Sequence, residues 1–401
     1  MIFDKEKRYG EAILSLLFLL GLFCSPDFAT AASPGPVENT ASTAKDSSVY
    51  NDYARLIAGM FVRQGPVSNL QSRSAWVDYA RFFEKSWQKL DEKQLTPVRQ
   101  WAEKELGAAA SSRNTVFYPC SGPDFANVHA FFPQARTYVL VGLEPLGETP
   151  DFAAMKDVQF DSYLANMKKS LVDLLNIHYF ISAHMKAEFH ETEVKGVLPI
   201  LLFTVAKNNA QVLDVCYWTM KPDGTVQAFP ALGPANLDPA CVQGIRITFE
   251  AAGGQESRIR TLYYFRLNLY NHAFDQNPYF LSFLKSLAPV TTFMKSASYV
   301  MFDPHVSAAR QFVLDQSRAI VQEDSGIPVK YLDPALWNLR FYGVYNKPIS
   351  IFSHHYQEDL AGIYHADKNI KPLPFGFGYH FKPGEANLMF AEKKSVSARE
   401  R

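Results

Sequence analysis

Two apolar runs flank a short segment that can close a helix. Val116-Phe117-Tyr118 stops at Pro119, and Thr137 to Leu143 stops at Glu144-Pro145. Between them lie a turn, Cys120-Ser121-Gly122-Pro123-Asp124, and the segment Phe125 to Phe132, closed by Pro133. Neither run alternates apolar with polar residues, as expected of strands buried on both faces of a parallel sheet. Asn114 to Gly147 therefore predicts one β-α-β unit.

The residues before it repeat at helical spacing. Trp76, Ala80, Phe83, Trp87 and Leu90 mark one helix face. Thr96-Pro97 predicts the start of another helix, with Val98, Trp101 and Ala102 inward and Gly107 ending it. These elements predict a helical layer on the sheet, with the tryptophans read as core packing ahead of a ligand platform. After the unit, Phe160, Tyr163, Leu164, Met167, Leu171, Leu174 and Leu175 mark a long helix. Val197 to Lys207 reads as a buried helix with Pro199 in its first turn.

The pattern then shifts to strands. Val212 to Thr219 and Thr225 to Phe229 form a hairpin across Pro222-Asp223-Gly224. Ile245, Ile247 and Phe249 alternate with polar residues, and Ile259 to Tyr270 alternates again, which predicts an antiparallel pair. Asn277-Pro278 and Asp303-Pro304 open helices. Ala319-Ile320-Val321 is a strand ending at Glu323-Asp324-Ser325-Gly326. Leu339 to Tyr345, Phe375 to Phe381 and Leu388 to Ala391 read as short strands, with a hairpin turn at Lys382 to Glu385. The fold class expected is α/β: a Rossmann-like mixed sheet with an N-terminal helical layer and antiparallel strand additions.

Composition bounds this picture. At 401 residues and 47% hydrophobic, the chain has enough apolar content for a sizeable core. Forty basic and forty acidic residues balance, so no nucleic-acid footprint is expected. Residues 1–31 read as a signal peptide: a basic start, the apolar run Ala12 to Phe23, and the small residues Ala29-Thr30-Ala31. Cys24 raises lipidation, but bulky Phe23 fits a lipobox poorly. Residues 32–48 read as a disordered linker and 49–401 as a single α/β domain. The localisation expected is periplasmic or secreted, with no integral membrane segment after signal cleavage. An oxidising compartment allows a disulfide; Cys216 and Cys241 are the favoured pair, against the alternative of three free thiols.

The β-α-β start resembles that of class I methyltransferases. The resemblance implies a Rossmann-like fold, a ligand-cradling loop at Cys120 to Asp124, and a ribose-holding acid at Glu144. The loop has one glycine, Gly122, where that family has two or three, which argues against a dinucleotide. Export argues against S-adenosylmethionine, a cytosolic cofactor, and no cofactor is assigned. Tyr118-Pro119-x-Ser121-Gly122-Pro123-Asp124 and Gln322-Glu323-Asp324-Ser325-Gly326-Ile327-Pro328 are similar to phrases of an exported bacterial family of unassigned function.

If the strands are parallel, their polar ends share one edge. Ser121, Gly122, Asp124, Glu144 and Asp324 are then the candidate ligand-binding residues for a small polar molecule. Each has a plainer reading: Asp124 as a helix cap, Ser121-Gly122 and Asp324-Ser325-Gly326 as turns. Cys120 is a nucleophile only if its thiolate is stabilised. His184, Glu188, His190, Glu191 and Glu193 offer metal-ligand chemistry, but His184 and His190 do not share a helical face, and no metal site is assigned. The expected function is small-ligand binding at the crevice. A carboxylate- or metal-assisted hydrolase and a non-catalytic envelope module are the alternatives.

Overall fold

The computed structural model describes residues 44–177 and 196–394, apart from 64, 222, 232–236, 238–240, 253–258 and 297. In chain order the helices are α1 (Ala44–Ile57), α2 (Ser74–Leu90), α3 (Thr96–Leu106), α4 (Ala108–Ser111), α5 (Phe125–Phe131), α6 (Asp157–Ile177), α7 (Leu198–Lys207), α8 (Asn271–Gln276), α9 (Pro278–Ser286), α10 (Ser307–Gln316) and α11 (Glu358–Ala366). The strands are β1 (Thr115–Tyr118), β2 (Thr137–Gly142), β3 (Gln211–Met220), β4 (Val226–Pro230), β5 (Val242–Glu250), β6 (Ile259–Arg266), β7 (Val290–Met294), β8 (Ser317–Gln322), β9 (Trp337–Gly343) and β10 (Asn387–Lys393).

These strands form one mixed sheet in the order β4-β3-β5-β6-β2-β1-β7-β8-β10-β9. The central run from β6 to β8 is parallel throughout, and the strands added at both ends are antiparallel. Helices cover both faces, because alternate side chains of each central strand enter different cores. Val116 and Tyr118 join the core built with the N-terminal helices and α7, including Phe83, Val98 and Leu201. Phe117 joins Phe280, Leu284 and Phe312 beneath α9 and α10. Burial on both faces explains the unbroken apolar runs that marked β1 and β2.

Several expectations change. Helix α1 begins at Ala44, inside the segment expected to be linker. Helices α2 and α3 are continuous through a wide turn at Asp91–Leu95. Thr96 therefore donates its hydroxyl to the Asp91 carboxylate instead of capping a free helix end. Phe375 to Phe381 is a loop, held by one bridge between Phe377 and His380. Gly376 and Gly378 let it curl closely, since a side chain at Gly376 would overlap the backbone of Phe381.

The expected Cys216–Cys241 disulfide is absent: neither cysteine is in a disulfide, nor is Cys120. In the β3–β5 ladder, Cys216 faces Arg246 while Met220 faces Val242. Cys241 precedes Val242, so the cysteines stand some five positions apart along the ladder, about 16 Å at strand rise. A disulfide needs Cα atoms within about 7 Å. The histidine and glutamate cluster from His184 to Glu193 lies outside the described residues.

Candidate functional site at the carboxyl edge

Because β6, β2, β1, β7 and β8 run the same way, their carboxyl ends share an edge. Strands β2 and β6 lie on one side of β1, while β7 and β8 lie on the other. The strand order thus reverses between β1 and β7, and such a switch point is where open α/β sheets hold ligands.

The loop after β1 meets Glu144 as the sequence predicts. A Cβ built on Gly122 would lie 3.5 Å from a Glu144 carboxylate oxygen. Gly122 has φ +51°, a conformation that glycine adopts without strain. Ser121 is anchored to β2: its N–H donates to the Val141 carbonyl at 2.8 Å, and its hydroxyl reaches the carbonyls of Gly122 and Val141. Glu144 is buried and accepts from the Tyr264 hydroxyl at 3.0 Å and the Leu143 N–H at 3.1 Å. Glu144 is therefore gripped by the protein as well as facing the loop.

Asp124 turns toward β7 instead. It caps α5, accepting from the Asn127 N–H, and also accepts from the Asn127 side-chain amide at 2.8 Å. Its other oxygen takes the Lys295 ammonium at 2.7 Å and the Tyr118 hydroxyl at 3.3 Å. Both ion-pair side chains are almost fully buried, at 2% and 4% exposure. The switch point is thus bridged by a buried ion pair. The capping role holds, and the pair adds a second role that local sequence does not reveal.

Asp324 lies at the end of β8, beyond β7, roughly 10 Å from β1 at the usual strand spacing. It accepts from the Tyr299 hydroxyl at 2.6 Å and the Asn387 amide at 2.7 Å. Its neighbour Glu323 accepts from the N–H groups of Ser296 and Tyr379 and from the Ser325 hydroxyl. Burial and the adjacent Asp324 push the Glu323 carboxyl up to about 8 against the pull of those donors. A cavity of about 10 Å³, room for one water, lies beside this pair against Gln357 and Asn387. The edge thus holds two linked groups: Ser121, Gly122 and Glu144 on the β1–β2 side, and Glu323 and Asp324 on the β8 side.

Strain concentrates between them. Cys120 at the end of β1 has φ +57°, and Ser296 just past β7 has φ +54°. A non-glycine residue held in this region costs on the order of 1–3 kcal/mol. The Ser296 hydroxyl is buried without a hydrogen-bond partner, although the residue's own N–H is bonded to Glu323. Cys120 is half-buried, and burial beside the Glu144 carboxylate pushes its thiol up to about 12. That environment suppresses the thiolate, so Cys120 lacks the activation a nucleophile requires.

Sequence reading missed β7, and with it Lys295 and Ser296. The available signal was the β-branched run Val290-Thr291-Thr292-Phe293 following Pro289. No group of three or more potential metal ligands occurs among the described residues. No helix among them is long and apolar enough to cross a membrane. Comparison with known proteins returns no similar family model, curated protein or solved structure.

Proposed function

We propose that the chain is an exported protein that binds a small polar ligand at the carboxyl edge, around the β1–β7 switch point. Ser121, Gly122, Asp124 and Glu144 contribute from one side, and Ser296 and Asp324 from the other. The observation that carries this reading is the Ser296 hydroxyl, buried without a partner on a strained residue at the switch point. An unmet buried hydroxyl costs about 1–3 kcal/mol, a cost that a ligand oxygen or nitrogen would remove.

Native mass spectrometry of the protein purified from its own cells tests the reading. The expected result is a small-molecule adduct that weakens at least tenfold in Ser296→Ala while the thermal midpoint holds or rises. A bare polypeptide mass in the wild type, or an adduct indifferent to Ser296, would overturn it. Export rests on the apolar run and small residues of the first 31 positions. N-terminal sequencing of the exported product should begin at Ala32 or Ser33; retention of Met1, or lipid on Cys24, refutes that assignment.

A further inference from the structure

Glu323 sits where three segments of the carboxyl edge meet. It follows β8, and its carboxyl accepts the Ser296 N–H from the turn after β7 at 2.7 Å. The same oxygen accepts the hydroxyl of Ser325, in its own turn, at 2.8 Å. The other oxygen accepts the Tyr379 N–H, from the loop Phe375 to Phe381, at 3.2 Å. Gly378 in that loop lies against the carboxyl, where a Cβ would overlap it. One ionisable group thus ties the turns after β7 and β8 to the loop.

Its surroundings favour a change of charge. Glu323 and Asp324 are 1% and 2% exposed, and neither forms an ion pair among the described residues. The buried Lys295 ammonium is paired with Asp124. Two adjacent buried carboxyls without a cation resist ionising together, so one keeps its proton to a higher pH. Burial and Asp324 push Glu323 up to about 8. Tyr118 of β1 and Tyr299 after β7 feel its charge, and burial raises both phenols well clear of that range. Burial pulls His355, stacked on Tyr299, down to about 4. Tyr379 and His380 belong to the loop itself.

The effect of ionisation follows from linkage. The Ser296 and Tyr379 N–H groups and the Ser325 hydroxyl favour the carboxylate over the acid, so ionisation in turn tightens those bonds. A hydrogen bond to a charged acceptor is roughly twice as strong as one between neutral groups. Ser296, with φ +54°, is pinned at its N–H by Glu323 and at its carbonyl by the Ser298 hydroxyl. We propose that Glu323 is a proton-responsive latch on the Ser296 turn. Ionised, it pins Ser296 in the strained conformation; protonated, it lets the turn relax. What the latch regulates rests on the ligand site proposed above: affinity at Ser296 rises as Glu323 loses its proton, and binding there releases a proton.

Amide NMR spectra of the full chain, labelled with ¹⁵N-serine and ¹⁵N-tyrosine and titrated from about pH 6 to pH 10, test the latch. The Ser296 and Tyr379 amide protons should step downfield together, with one midpoint near pH 8. Glu323→Gln, which keeps an oxygen for Ser296 but no charge, should hold the Ser296 amide at its low-pH position throughout. That variant also separates the titration of Glu323 from that of His380. Ser325→Ala removes one donor to the carboxylate, and should raise the shared midpoint by about half a unit to one unit. A flat Ser296 amide in the wild type, a step that survives Glu323→Gln, or an unmoved midpoint in Ser325→Ala would overturn the proposal. These spectra need no ligand. A bare polypeptide mass in the adduct experiment would therefore strike the ligand reading and leave the latch standing, and a flat Ser296 amide would do the reverse.

Discussion

The Asp124–Lys295 pair is the strongest test of how the edge is held together. The ion pair spans 2.7 Å, joins the ends of β1 and β7, and leaves both side chains almost without solvent contact. Lys295→Met keeps the stem length but leaves the Asp124 carboxylate buried without its countercharge. Breaking one side of a buried pair costs about 3–5 kcal/mol, a large part of a typical domain stability of roughly 5–15 kcal/mol. Asp124 retains donors from Tyr118 and Asn127, which favours the lower half of that range. Asp124→Asn is expected to cost a similar amount, because the Lys295 ammonium is then left buried beside a neutral amide. The double variant should recover part of the loss, since no unpaired charge remains, and a coupling energy of about 1–3 kcal/mol follows. Urea unfolding of all four proteins at pH 7 gives the cycle. Losses below about 1 kcal/mol in both single variants, or additivity in the double, would refute a buried, mutually dependent pair.

Three further outcomes follow from the same geometry. Glu323 holds its proton in the folded state up to about pH 8, above its ordinary value of 4.5. The native protein therefore binds more protons than the unfolded chain in that window, and stability should fall as pH rises from about 4.5 to about 8, by up to about 1.4 kcal/mol per unit. Glu323→Gln should flatten the slope, and urea midpoints between pH 4.5 and 9 decide it; an unchanged slope counts against the assignment. Burial pushes Cys120 up to about 12 and Cys216 to about 11, so both should react slowly with Ellman's reagent in the native state at pH 8. They should react fully after unfolding without reductant, and a peptide linking Cys216 to Cys241 would contradict the fold. Gly378 has φ +64°, and a side chain there would overlap the Glu323 carboxylate, so Gly378→Ala should destabilise by more than about 2 kcal/mol; a near-neutral thermal melt would show that the loop does not clamp Glu323.

The sequence by itself determined the local units. Unbroken apolar runs identified β1 and β2, because strands covered on both faces need no polar side. Alternation identified the β5–β6 pair, helical spacing identified α2 and α6, and an apolar stretch with Pro199 in its first turn identified α7. The closeness of Glu144 to Gly122 was also legible, since both lie in a single β-α-β unit of about 30 residues. Strand order was not legible. β7 is inserted beside β1 from more than 170 positions later in the chain, and only that insertion makes the switch point and brings Lys295 to Asp124. Pairing across such a separation depends on how whole faces bury against one another, and no local window records it. The missing disulfide has the same origin: ladder register sets Cys216 and Cys241 apart, although both lie in or beside strands of one hairpin region. Local pattern chose which segments are strands and helices, and burial of long-range neighbours decided which polar groups meet at the edge.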